Sequence, residues 1–177
     1  MKPDQLRELD LSNCKLRDFE DTFDQYKMPN LRELNLNNNM MLTLKAIGHM
    51  PALRILRLRN NRLETLFVKP TSEEKTARRG LFGVLGLEFL DVQSNNLQYL
   101  YGLQTQVLKD LKILLCSDNS LAKIEHLEKL KSLREFDISK NKIRALEPRL
   151  FYMPTQLSRL RLDDNPIKQL THIETLD

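Results

Sequence analysis

Histidine, cysteine and clustered carboxylates are the side chains that could hold a metal, move a proton or act as a nucleophile. The chain carries three histidines, His49, His126 and His172, each without a partner at ligand spacing. They are expected at surface or junction positions rather than in an imidazole-based site. The chain has two cysteines, Cys14 and Cys116. The glycine run GLFGVLG (residues 80–86) is apolar and lacks the lysine that a phosphate-cradling loop needs. The adjacent acids Asp163 and Asp164 precede Asn165 and Pro166, a composition that shapes a turn. No catalytic triad, metal set or cofactor signature is found. The expectation is a non-enzymatic chain with no cofactor and no metal.

Composition points the same way. The chain has 177 residues, 41% of them apolar, enough for one domain with a sizeable core. Charged residues make up 29%, with both signs interleaved and a net charge of +4, so no strong basic stripe announces nucleic acid. No apolar run approaches the ~20 residues of a membrane span. The start, MKPDQLRELD, lacks a signal peptide's apolar stretch, and no N-x-S/T sequon occurs. An intracellular location, cytoplasm or nucleus, is expected.

What the chain does contain is a spacing that no single element explains. In LRILRLRNNRLETL (53–66), leucines stand at 53, 56, 58, 63 and 66. A strand buries every second residue and a helix every third or fourth; the intervals here are three, two, five and three. The same offsets recur from Leu6, Leu31, Leu53, Leu87, Leu111, Leu133 and Leu157, giving seven copies. An asparagine follows eight residues after the first leucine in six of them: Asn39, Asn61, Asn95, Asn119, Asn141 and Asn165. Cys14 takes that place in the first.

This is the pattern L-x-x-L-x-L-x-x-N-x-L, and the chain resembles the leucine-rich repeat superfamily from Leu6 to Leu170. Its 22-residue copies resemble the intracellular class typified by the nuclear regulatory subunit of protein phosphatase 1. Its 24- and 25-residue copies resemble the longer typical class. Mixed lengths of this kind occur in intracellular and cilium- or cytoskeleton-associated members. The resemblance implies an α/β solenoid: a right-handed coil with a seven-stranded parallel concave sheet and short helical or 3₁₀ return segments, spanning 1–177 as one domain.

Within such a coil the spacing becomes intelligible. The leucines at the first, fourth and sixth positions lie on the strand and its approach, and those ten and thirteen residues on line the turn out of it. The asparagine sits at the bend, where a buried amide can satisfy backbone groups of its own and neighbouring coils. Cys14 does this less well, a loss best tolerated at an end coil. Cys116 occupies a core leucine position and reads as a small buried hydrophobe. Four strands at ~4.8 Å separate the two thiols by about 19 Å, beyond the ~7 Å a disulfide tolerates. Before each repeat, apolar pairs such as Ile47/Met50 and Leu127/Leu130 predict inward-facing helical turns. The 34-residue interval from Leu53 to Leu87 holds a polar insertion, KPTSEEKTARRG (69–80), read as a surface loop on the return side. Terminal coils need caps, and none is evident, so a segment of a longer chain is expected, otherwise monomeric, with end-to-end association available to uncapped ends.

Residues between the strand leucines face outward onto the concave surface. The first column reads Glu8, Glu33, Ile55, Phe89, Ile113, Glu135, Arg159. The second reads Asp10, Asn35, Arg57, Asp91, Leu115, Asp137, Arg161, and the third Ser12, Asn37, Arg59, Gln93, Ser117, Ser139, Asp163. Ile55, Phe89, Ile113 and Leu115 are expected to form one apolar patch with Arg57, Arg59, Asp91, Glu135, Asp137, Arg159 and Arg161 around it. The expected function is a scaffold or adaptor that binds a protein partner, a helix or an extended segment, on this face. An RNA- or phosphate-binding surface built on Arg57 and Arg59, with a basic patch of Arg54, Arg62, Arg78 and Arg79, is the alternative. A third reading is the targeting or regulatory arm of a larger enzyme.

Overall fold

The computed structural model describes residues 2–17, 28–44, 47, 50–68, 79–81, 84–100, 108–147, 150 and 156–170. Seven three-residue strands form one sheet: β1 (Glu8–Asp10), β2 (Glu33–Asn35), β3 (Ile55–Arg57), β6 (Phe89–Asp91), β7 (Ile113–Leu115), β8 (Glu135–Asp137) and β10 (Arg159–Arg161). Every neighbouring pair is parallel and in the same register, for example Ile55↔Phe89 and Phe89↔Ile113. One strand per repeat, always at the same offset, is the seven-stranded parallel solenoid that the repeat implied. The strands are short because each coil leaves the sheet after three residues, when the backbone turns at the bend.

That turn has a fixed cause. The residue just before the ladder position has a left-handed backbone in all seven coils: Asn13, Asn38, Asn60, Ser94, Asp118, Lys140 and Asp164, with φ between 52 and 59°. Asparagine and aspartate tolerate this region better than most residues and fill five of the seven places. The next residue, the ladder asparagine, then turns inward. Asn95 shows the pattern. Its Nδ2 donates to the carbonyls of Leu58, Val92 and Gln93, and its Oδ1 accepts the N–H of Leu63 from the preceding coil. Asn39, Asn61, Asn119, Asn141 and Asn165 repeat it; Asn61, for instance, accepts from Met41 N–H and donates to Leu36 and Leu58. Among the described residues no buried side-chain nitrogen or oxygen lacks a partner. In the first coil, the N–H groups of both Cys14 and Leu16 reach Asn39, so the second coil's amide serves the first.

The core is the stack of repeat leucines. Leu53, Leu56, Leu58, Leu63 and Leu66 of the puzzling run are all fully buried. Leu9, Leu11, Leu160 and Leu162 of the outermost coils are only partly buried, since each has a neighbour on one side alone.

The return ahead of β8 is 3₁₀-like. Leu127–Lys129 forms a 3₁₀ turn, and no α-helix occurs among the described residues. Leu127, Leu130 and Leu133 are spaced by three and all fully buried, with N–H donors bonding three residues back. A period of three matches 3₁₀ geometry, whose ~2.0 Å rise also crosses the coil in fewer residues than an α-helix. Short outer strands supplement these turns: β9 (Ala145–Leu146) pairs in parallel with β11 (Gln169–Leu170).

Of the polar insertion, residues 69–78 lie outside the described residues. Its two ends meet as an antiparallel pair, β4 (Phe67–Val68) with β5 (Arg79–Gly80). Gly80 has φ +79°, and a Cβ there would sit 2.6 Å from the Leu66 carbonyl oxygen. Glycine is therefore required where the insertion rejoins the coil. Leu81 and Val84 then return to the core, fully buried.

Candidate protein-interaction surface

The first outward column brings Ile55, Phe89 and Ile113 onto adjacent strands, directly opposite one another. Each is partly exposed, as is Leu115 one step along the central strand. Their strands keep the alternation that buries Leu56, Leu90 and Leu114 behind them. The Arg57 guanidinium lies over the Phe89 ring, 5.5 Å from its centroid, a cation–π contact that covers part of the patch.

The charged surround is laterally paired. Arg57 reaches Glu33 at 3.3 Å on the neighbouring strand, and no ion pair joins it to Asp91, its partner in register. Arg159 pairs with Glu135 at 3.2 Å, and Arg161 lies between Asp137 at 3.9 Å and Asp163 at 3.6 Å. Of the four arginines of this face, Arg59 alone is exposed without an ion pair among the described residues.

Asp91 and Asp137 play a part that spacing alone did not reveal. They are 9% and 5% exposed. Each accepts the backbone N–H two residues on, Gln93 for Asp91 and Ser139 for Asp137, and Ser139 adds its hydroxyl. Asp10 and Asn35 do the same for Ser12 and Asn37. These side chains lock the strand exit, so they form the floor of the face more than its reach. Burial raises the Asp91 carboxyl above its ordinary value, partly offset by the Gln93 N–H and by Arg59 and Arg57. At exposed Asp10, hydrogen bonds from Ser12 and Asn35 lower it instead.

One feature of the sheet was missed in the sequence because the columns were read from the first outward residue. The residue just before it forms a further row at the strand entrance: Arg7, Arg32, Arg54, Glu88, Lys112, Arg134 and Ser158. Successive members are joined by backbone bonds of 2.7–2.9 Å, Arg32 N–H to Arg7 carbonyl and onward to Ser158. The five cations are exposed. Glu88 draws Arg54 and Lys112 together, whereas Arg7, Arg32 and Arg134 have no acidic partner within 4 Å among the described residues. Arg62 is exposed in the bend after β3, and Arg78 and the Arg79 side chain lie outside the described residues, so the alternative basic patch is not assembled among them.

No group of three or more histidine, cysteine or acidic residues converges among the described residues. His126 is exposed and 3.7 Å from Glu128; His49 and His172 lie outside the described residues. No helix of the described residues is long and apolar enough to cross a membrane. Cys116 is fully buried, and burial together with the nearby Asp137 and Asp91 carboxylates pushes its thiol well above the ordinary value. Cys14 is exposed and free. With Ellman's reagent, one thiol should react promptly in the native chain and the second only on unfolding. Equal rates for both would contradict the packing of β7.

Comparison with known proteins agrees with this architecture. Two family descriptions match: "Leucine rich repeat" over residues 4–63 and "Leucine Rich repeats (2 copies)" over residues 109–150. A human relative, leucine-rich repeats and immunoglobulin-like domains protein 3, is 29% identical over 173 residues, which is 95% of this chain. The chain spans only 14% of that relative's length. A solved leucine-rich repeat protein of Leptospira interrogans superposes with a TM-score of 0.73 at 24% identity, covering 93% of this chain and 45% of that one. The leucine-rich repeat domain of APL1B gives 0.69 at 23% identity, covering 90% and 43%. Proteins of this kind generally mediate protein–protein interaction. In-register single strands, an asparagine bonded to the backbone at each of six bends and both family matches place the chain in the leucine-rich repeat family.

Proposed function

We propose that the chain is a non-catalytic protein-interaction scaffold that holds its partner on the concave sheet face, centred on Phe89 and Ile113. The observation that carries this reading is the adjacency of Ile55, Phe89 and Ile113 on three successive strands, partly exposed and bordered by charged residues. Apolar contact at the centre and charge at the rim is how interfaces are built. Seven strands at ~4.8 Å give a platform about 29 Å across, enough to seat a helix or an extended segment. A reducing compartment suits an exposed free thiol at Cys14. Nucleic acid is less well matched: Arg57 is engaged by Glu33 and Phe89, and four acidic residues share the second and third columns with the arginines.

Substituting Phe89→Glu together with Ile113→Glu should weaken partner capture about thirtyfold or more, the scale of losing a central anchor. Thermal unfolding should change little, because both side chains are partly exposed. Leu42→Glu, at an exposed position off this face, is the control and should capture normally. Undiminished capture by the double variant overturns the site.

A further inference from the structure

We propose that the partner is an acidic amphipathic segment, with its apolar stripe on Ile55, Phe89, Ile113 and Leu115 and its carboxylates facing Arg7, Arg32, Arg54, Lys112 and Arg134 at the strand entrance; this rests on the concave-face reading. The asymmetry of charge about the patch carries the argument. In the entrance row, five exposed cations stand against one acid, Glu88, with Asp4 beside Arg7 and Arg32 at its end. On the opposite side, in the second and third columns, Asp91 and Asp137 are buried, and the surface carries Arg57, Arg59 and Arg161 against Asp10 and Asp163, close to balance. Acids also occur in the first column: Glu33 and Glu135 are held by Arg57 and Arg159, and Glu8 is exposed at the end of the column. A segment with one acidic flank therefore gains most with that flank over the entrance row. The difference in cationic charge between the two sides sets its orientation.

Dimensions fit as well. The row and the apolar column both run across the strands, backbone-bonded from coil to coil. From Arg7 to Arg134 are five strand spacings, ~24 Å. A helix of about 16 residues has that length. Each row residue immediately precedes a first-column residue in the chain, so a segment whose apolar side chains touch Phe89 and Ile113 has the row along one flank. Arg7, Arg32 and Arg134, which have no acidic partner within 4 Å among the described residues, supply the charge for its ends.

The test is selection of a displayed random 16-residue peptide library on the immobilised full chain, followed by anisotropy titration of the recovered peptides. Peptides rich in both Asp/Glu and large apolar residues are expected. Their binding should fall at least tenfold with Phe89→Glu/Ile113→Glu and at least tenfold with Arg32→Glu/Arg134→Glu. The second loss should be recovered by a peptide whose acids are changed to lysine. If the first variant abolishes binding and the second leaves it unchanged, the acidic flank is wrong and the concave face stands. If the first variant has no effect, both are wrong. Neutral or basic winners, no winners, or polyuridylate binding as tightly as the peptides through the same arginines each overturn the proposal.

Discussion

Asn95→Ala is expected to destabilise the chain by about 3 kcal/mol or more. The substitution strands the Leu63 N–H and removes a donor from the carbonyls of Leu58 and Val92, all within buried residues. Each buried group left unpaired costs roughly 1–3 kcal/mol. The alanine methyl offers neither donor nor acceptor. Asn95 also joins the central coils, so its loss weakens a junction on which both halves of a nearest-neighbour array depend. Urea denaturation measures the total, and hydrogen exchange at the Leu63 amide reports the local event: protection there should drop further than at Leu121, whose amide is held by Asn141. A loss below about 1 kcal/mol, with Leu63 still protected, would contradict the role given to the ladder.

A comparable loss, about 3–5 kcal/mol, is expected of Phe136→Ala. Phe136 stands where most copies carry leucine, lies on β8 and is fully buried between Leu114 and Leu160 on the flanking strands. Truncation leaves a ring-sized void between coils whose spacing is fixed by their backbone bonds, so little collapse can refill it. Phe136→Leu restores the commoner side chain and keeps most of the volume; its cost should be within about 1.5 kcal/mol. Equal midpoints for the two variants in urea would mean that Phe136 is not packed as described.

Much of this was legible from residue spacing because the repeat is nearly noiseless at the positions that matter. Intervals of three, two, five and three located the strands, the bends and the buried asparagines, and the sheet register followed once one strand was assigned per copy. The Ile55–Phe89–Ile113 alignment was readable for the same reason. The spacing of Leu127 and Leu130 by three suits an α-helical or a 3₁₀ turn, so the geometry of the return stayed open in the sequence. Two things escaped. Asp91 and Asp137 looked like rim charges because alternation places them outward; only the bend geometry, which aims each carboxylate at a backbone N–H two residues on, shows why they are buried. The recurrence of Asp or Asn at that position in four copies was the available signal. The cationic row at the strand entrance was missed because it precedes the regular alternation. Reading the position after each first leucine would have exposed it.

The most direct test of the functional account is photocrosslinking with benzoylphenylalanine placed singly at position 89, on the concave patch, and at position 42, exposed elsewhere. Partner adducts should form from position 89 and be absent from position 42. Adducts from position 42 with none from position 89 would place the partner off the sheet face and contradict the account.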